Sequence, residues 1–236
     1  FQVFCHFFLY QFKIFPCYNR GTYVQNERQG KVKEIKNPIL RGFNSDPSIV
    51  RVDDTYYIAT STFEWWPGVQ IHMSKDLANW KLITHPLNEK RLLDMTGNLD
   101  SGGIWAPDLS YYDGKFYLVY TDVKVTDGSF KDCINYLITA EDIMGPWSDP
   151  VMLNTAGFDA SLFHDDDGRK YLVNQYWDPR GWHHPFYGIM CTEYSEAEKK
   201  LIGKPWVIYK GTEEKFTEGP HSVCFRTVIL TSRLQW

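Results

Sequence analysis

The chain has 236 residues, enough for one large domain or two small ones with a sizeable buried core. Its 25 basic and 29 acidic residues leave a net charge of −4, which points away from nucleic-acid and membrane-surface partners. Aromatic residues make up 17% of it, with nine Trp and fifteen Tyr, a composition suited to strands and to the flat apolar surfaces that hold pyranose sugars.

The N-terminal stretch "FQVFCHFFLYQFKIFPC" is too short and too interrupted by polar residues to span a membrane. It also lacks the basic start and small-residue cleavage site of a secretory signal. Residues 1–36 are expected to lie outside the folded domain. Five cysteines, at 5, 17, 133, 191 and 224, are odd in number and contain no C-x-x-C, which argues against a zinc ribbon or a thioredoxin motif. Unpaired thiols and the missing signal favour a cytoplasmic setting over a secreted one. No G-x-S-x-G, P-loop or H-E-x-x-H occurs. No metal or cofactor is expected, and the oligomeric state is left open.

From residue 46 the chain repeats itself. "DPSIVRVDDTYYIAT" aligns with "APDLSYYDGKFYLVYT" at an offset of 60, so that Pro47 meets Pro107, Asp53 meets Asp113 and Tyr57 meets Tyr117. "DASLFHDDDGRKYLVNQYW" is a third copy with one residue added at its turn. Each copy reads as a strand, an acidic or Gly turn, and an aromatic strand, which is a hairpin pattern. Each is followed by a strand, turn and strand, the last marked by Trp80, Trp147 or Trp206. Four strands per unit at a period of about fifty residues predicts the blades of a β-propeller. No amphipathic stretch long enough for the helices of an α/β fold intervenes.

In a propeller the first strand of each blade lines the channel, so Asp46 and Asp159 open comparable strands. A fourth copy begins at "TEGPHSV", with Glu218 just ahead of the aligned Pro220. Three acids from three blades then converge on one funnel. Turn chemistry alone accounts for one such Asp before a strand, but not for its recurrence at matching places. Glycoside hydrolysis needs a carboxylic acid for the leaving oxygen and a carboxylate acting on water or on the anomeric carbon. A third carboxylate can hold the acid's pKa up.

These residues also carry a resemblance. "NPILRGFNSDPSIVR", "STFEWWPGVQIHMSKDLANW", "DSGGIWAPDLSYYDGKFYLVYTD", "GFDASLFHDDDGRKYLVNQYWD" and "TEGPH" resemble glycoside hydrolase family 43, and within it the β-xylosidase branch. The resemblance runs from about Asn37 to His221. It implies an all-β, five-bladed propeller, of which this chain holds about three blades and the start of a fourth. It further implies inverting exo-hydrolysis, with Asp46 as general base, Asp159 as the residue that tunes and orients the acid, and Glu218 as general acid. Phe63, Trp105 and Phe158 would contact the sugar, a xylo-oligosaccharide or arabinoxylan-derived unit. An α-L-arabinofuranosidase, or a catalytically impaired sugar-binding fragment, is the alternative. Residues 222–236, "SVCFRTVILTSRLQW" after His221, depart from the family pattern and are expected to be a divergent tail, with later blades, their Arg and central His, and an accessory β-sandwich absent.

Other residues have plainer readings. Asp53, Asp113 and the run Asp165-Asp166-Asp167 are expected at hairpin tips; the run fails as a calcium loop because its twelfth position is Tyr176. His183-His184 reads as loop, Trp80, Trp147 and Trp206 as packing residues, and Cys133 and Cys191 as core. Trp105 is divided evenly between pocket and core.

Overall fold

The computed structural model describes residues 35–126, 130–213, 217–225 and 228–234; the extension expected before the domain lies, up to residue 34, outside the described residues. No described residue is helical. The first sheet runs β1 (Ser45–Val52), β2 (Thr55–Ser61), β3 (Gln70–Ser74), β4 (Lys81–Thr84) in sequence order. The second repeats this with β5 (Gly103–Tyr112), β6 (Lys115–Val125), β7 (Asp132–Ala140) and β8 (Val151–Asn154). The third is β9 (Phe158–His164), β10 (Lys170–Trp177), β11 (Phe186–Ser195) and β12 (Lys200–Tyr209). A hairpin of β13 (Glu218–Phe225) and β14 (Val228–Leu234) stands where a fourth sheet begins. All pairings are antiparallel, β1 packs on β5, β5 on β9 and β9 on β13, and the sheets are blades of a β-propeller.

The strands form where the repeat places them. Asp53 and Asp113 take φ of 51° and 48° at the tips of β1–β2 and β5–β6, a conformation that Asp tolerates better than most residues. In β6, Phe116, Leu118 and Tyr120 face the first blade, while Tyr117 and Val119 face the third, the two-residue period of a strand buried on both sides. Cys133 and Cys191 are buried within strands, and burial pushes both thiols up to about 12. Trp147 is buried, and Trp80 donates from its indole to the Leu77 carbonyl at 2.9 Å. Trp206 packs edge-on against Tyr171 at 6.1 Å while staying 45% exposed. Beyond His221, β13 continues in register with β14, Ser222 opposite Thr231 and Cys224 opposite Ile229.

Blades two and three are locked near their hairpin tips. Lys170 is buried with its Nζ 2.8 Å from Glu196, which also takes Lys115 at 2.9 Å and the Tyr117 hydroxyl. These donors outweigh partial burial and hold the Glu196 carboxyl down at about 2.

One irregularity recurs in every blade. Ser45 and Ser48 of β1 pair with Ser61 and Ala59, so Asp46 and Pro47 oppose one residue of β2. The same two-against-one bulge sets Ala106-Pro107 in β5, Asp159-Ala160 in β9 and Gly219-Pro220 in β13 out of register. A bulge re-aims its side chains and sharpens the local twist. All four bulges lie near the N-terminal ends of the inner strands, at one end of the channel.

Candidate active site

The first bulge residue is left-handed in three of the four strands: Asp46 (φ 50°), Asp159 (φ 53°) and Gly219 (φ 59°). Asp and Gly are residue types that enter this region at little cost. In β13 the glycine occupies the bulge and the acid, Glu218, stands one residue earlier, at the first position of the strand. The sequence-predicted acids are thus brought to one end of three inner strands, with the second blade contributing Ala106 instead.

Their surroundings differ. Asp46 accepts a hydrogen bond at 2.7 Å from the Ser61 hydroxyl, which lies 2.6 Å from that of Ser45. Asp159 accepts the backbone N–H of Gly219 at 3.0 Å. Burial, then the Glu218 and Asp46 carboxylates, push Asp159 up to about 7, against the pull of that N–H and of His221. The sequence reading assigns Asp159 to tuning its neighbour's acidity, and Asp159 is itself a raised carboxyl beside Glu218. Like charges beside a buried carboxyl disfavour its ionisation further.

The predicted aromatics form a wall beside this cluster. Phe63 has φ 49° and exchanges backbone hydrogen bonds with Ile104 at 2.9 and 3.0 Å, which joins blade one to blade two. That crossing needs Gly103: a Cβ there would stand 2.3 Å from the Phe63 carbonyl oxygen. Trp105 is fixed through its indole N–H to the Ser101 carbonyl at 2.8 Å, with Phe63 at 6.3 Å and Phe158 edge-on at 5.3 Å. Trp105 is partly exposed, so it serves both wall and core. Phe158 is 4% exposed and packs with Val123, Cys133, Trp105 and Trp177. It backs the wall, with almost all of its own ring buried.

Sequence reasoning missed four contributors. Trp177, at the end of β10, lies 6.0 Å from Phe158 with the Lys131 ammonium over its ring at 4.9 Å. Phe43, just before β1, carries the ring series outward to Trp65, with centroids 4.9 Å apart. Ser61, which orients Asp46, and Asp108, described below, complete the set. The repeat held a signal for Asp108, since Ser48, Asp108, Ser161 and His221 are polar residues at one aligned position. Asp53, Asp113 and His183-His184 stay in turns and loops, His184 Nδ1 accepting the Phe186 N–H at 3.2 Å.

Comparison with known proteins agrees with this architecture. The family model described as Glycosyl hydrolases family 43 matches residues 35–224. A "Beta-xylosidase" of Bacillus subtilis (strain 168) is 64% identical over 188 residues, covering 80% of this chain and 35% of that protein. A "Xylosidase/arabinosidase 43B" of Humicola insolens is 60% identical with the same coverage. The crystal structure of a xylan beta-1,4-xylosidase from Bacillus halodurans C-125 superposes with a TM-score of 0.80 at 64% identity, over 81% of this chain and 37% of that one. The chain therefore spans about a third of the length of the relatives it matches.

Proposed function

We propose, because the chain belongs to glycosyl hydrolases family 43, that it removes terminal xylose from xylo-oligosaccharides with inversion. The observation that carries this reading is the placement of Asp46, Asp159 and Glu218 at the bulged ends of three inner strands, with Asp159 raised by burial and then by the other two carboxylates. In this scheme the Asp46 carboxylate, oriented by Ser61, takes a proton from water as it attacks the anomeric carbon. Glu218 gives a proton to the departing oxygen. Asp159 shares one proton with Glu218 and keeps it available near neutral pH, where a solvated carboxyl would have lost it. The cluster then gains back the proton that water surrendered at Asp46, which restores its charge.

The aromatic wall supports a pyranose: Phe63 and Trp105 present partly exposed ring faces, and Phe158 holds the indoles of Trp105 and Trp177. The names of the relatives also include an arabinosidase activity, so an α-L-arabinofuranoside is the second substrate to offer. The test is incubation with xylobiose, 4-nitrophenyl β-xyloside and 4-nitrophenyl α-L-arabinofuranoside, following the first sugar released by NMR. Inversion delivers α-xylose first from a β-xyloside. First release of β-xylose would replace inversion with a double displacement, in which the two carboxyl groups stand at about 5 Å rather than about 6.5–9.5 Å. Binding of the sugars without turnover would leave the chain a lectin-like module.

A further inference from the structure

Asp108 occupies the blade-two position that corresponds to Ser48 in β1, Ser161 in β9 and His221 in β13, each immediately after its bulge. These four residues stitch the inner strands together. Ser48 accepts the Leu109 N–H at 3.0 Å, and Asp108 Oδ2 accepts the Leu162 N–H at 2.9 Å. The Ser161 hydroxyl donates to the Pro220 carbonyl at 2.5 Å, and His221 Nδ1 lies 3.1 Å from Asp108 Oδ1. Asp108 is buried and uses both carboxylate oxygens, one on blade three and one on blade four. The short segment 218–221 is thus held at three consecutive residues: Gly219 by Asp159, Pro220 by Ser161 and His221 by Asp108. Glu218 is the next residue toward the N-terminus.

We infer that Asp108 and His221 form a positioning pair that aims Glu218 at the leaving oxygen, acting on the rate through that residue and not on the substrate. The inference rests on Glu218 being the general acid of the proposed hydrolysis. Among the three anchors only the His221–Asp108 contact joins β13 to β5, so it alone fixes how far the segment can pivot about its contacts with β9. Burial works against a charge on His221, but its hydrogen bond to Asp108 and the Asp108 and Asp159 carboxylates raise its pKa, which keeps the imidazole a donor. A misaimed catalytic group is costly, since about 1 Å of displacement can lose roughly 10²-fold in rate.

The test uses leaving groups of different basicity. Xylobiose needs a proton on its departing oxygen, whereas 2,4-dinitrophenyl β-xyloside leaves without one. His221→Ala should lower kcat on xylobiose by roughly tenfold or more, with KM little changed, and should leave the dinitrophenyl substrate within about threefold of the parent. His221→Asn places an amide N–H where Nδ1 stands and should recover most of the xylobiose rate; Asp108→Asn should resemble His221→Ala. Equal losses on both substrates would overturn the inference, because a general loosening of the blade does not discriminate between leaving groups. Glu218→Gln is the benchmark: if it fails to produce the same split, the assignment of the acid itself falls. A second readout needs no turnover. The Gly219 amide resonance should move upfield in His221→Ala as its bond to Asp159 lengthens, and an unmoved resonance would equally refute the pair.

Discussion

The Gly219 backbone N–H donates to the Asp159 carboxylate at 3.0 Å, so the residue that follows one candidate acid is the hydrogen-bond partner of another. The bond ties β13 to β9 at the site itself. It also opposes the burial and like charges that raise Asp159, without overcoming them.

A raised carboxyl costs stability in a definite pH window. The unfolded chain loses the Asp159 proton near pH 4 and the folded chain near pH 7, so the folded state binds more protons between them and its stability falls as pH rises through that range. Asp159→Asn removes the penalty. Its melting temperature should exceed that of the parent at pH 8, by the equivalent of a few kcal/mol at most, and the gap should close toward pH 4. The same change should move the basic limb of the activity profile to lower pH, because Glu218 loses the neighbour that keeps a proton in the pair. A variant no more stable than the parent at pH 8 would mean that Asp159 is not raised.

Asp46→Asn should lower kcat by roughly 10²–10⁴-fold, the usual worth of general-base catalysis, while the melt barely changes. The amide still accepts from the Ser61 hydroxyl but cannot take a proton from water. Ser61→Ala should give a smaller loss in kcat, since it frees the carboxylate to rotate without removing it. Full activity in Asp46→Asn would assign the base to another residue.

The aromatic wall divides into residues that bind and residues that support. Trp105→Ala should raise KM on xylobiose about tenfold, equivalent to ~1.4 kcal/mol of lost contact. Phe158→Ala should instead destabilise the fold by about 3–5 kcal/mol, the range for a buried aromatic. Chemical denaturation of the two variants alongside steady-state kinetics separates the effects. A stable Phe158→Ala with only a KM defect would reverse the division.

The lock between blades two and three gives an acid-side prediction. Glu196 is held low, so its contribution is present above about pH 4.5 and is lost as pH falls toward about 2. Glu196→Gln should flatten the parent's loss of melting temperature between those values and, at neutral pH, melt lower, because Lys170 is left buried without its anionic partner. Parallel pH–melting curves for parent and variant would refute this.

Much of the architecture was legible because hairpins carry local marks. Asp53 and Asp113 sit at turns that require left-handed backbone, and the strands alternate around them. The bulges were not legible: two residues opposing one is a property of pairing between distant segments, and the chain from Asn44 to Ser48 looks like any Asp-Pro turn. Trp177 went unnoticed for the same reason. It closes a second strand, and only the pairing of Gln175 with Phe158 brings it to the wall. Asp108 sits two residues beyond the aligned Ala106, in a blade without an acid at the bulge. Which carboxyl keeps the proton depends on burial and neighbours together, and no residue pattern encodes that balance.

The left-handed backbone at Asp46 and Asp159 has a consequence for how this site can be lost. Few side chains accept that conformation, and Asp, Asn and Gly are the ones that do so readily. The backbone therefore narrows the choice of residue before any chemistry does, and two of the three tolerated types cannot ionise. Drift at these positions would run most easily to Asn or Gly, which preserve the bulge and the wall while silencing the chemistry. A relative carrying either residue at both places would be a folded sugar binder two substitutions removed from a hydrolase, and above neutral pH it would be more stable for having lost the raised carboxyl.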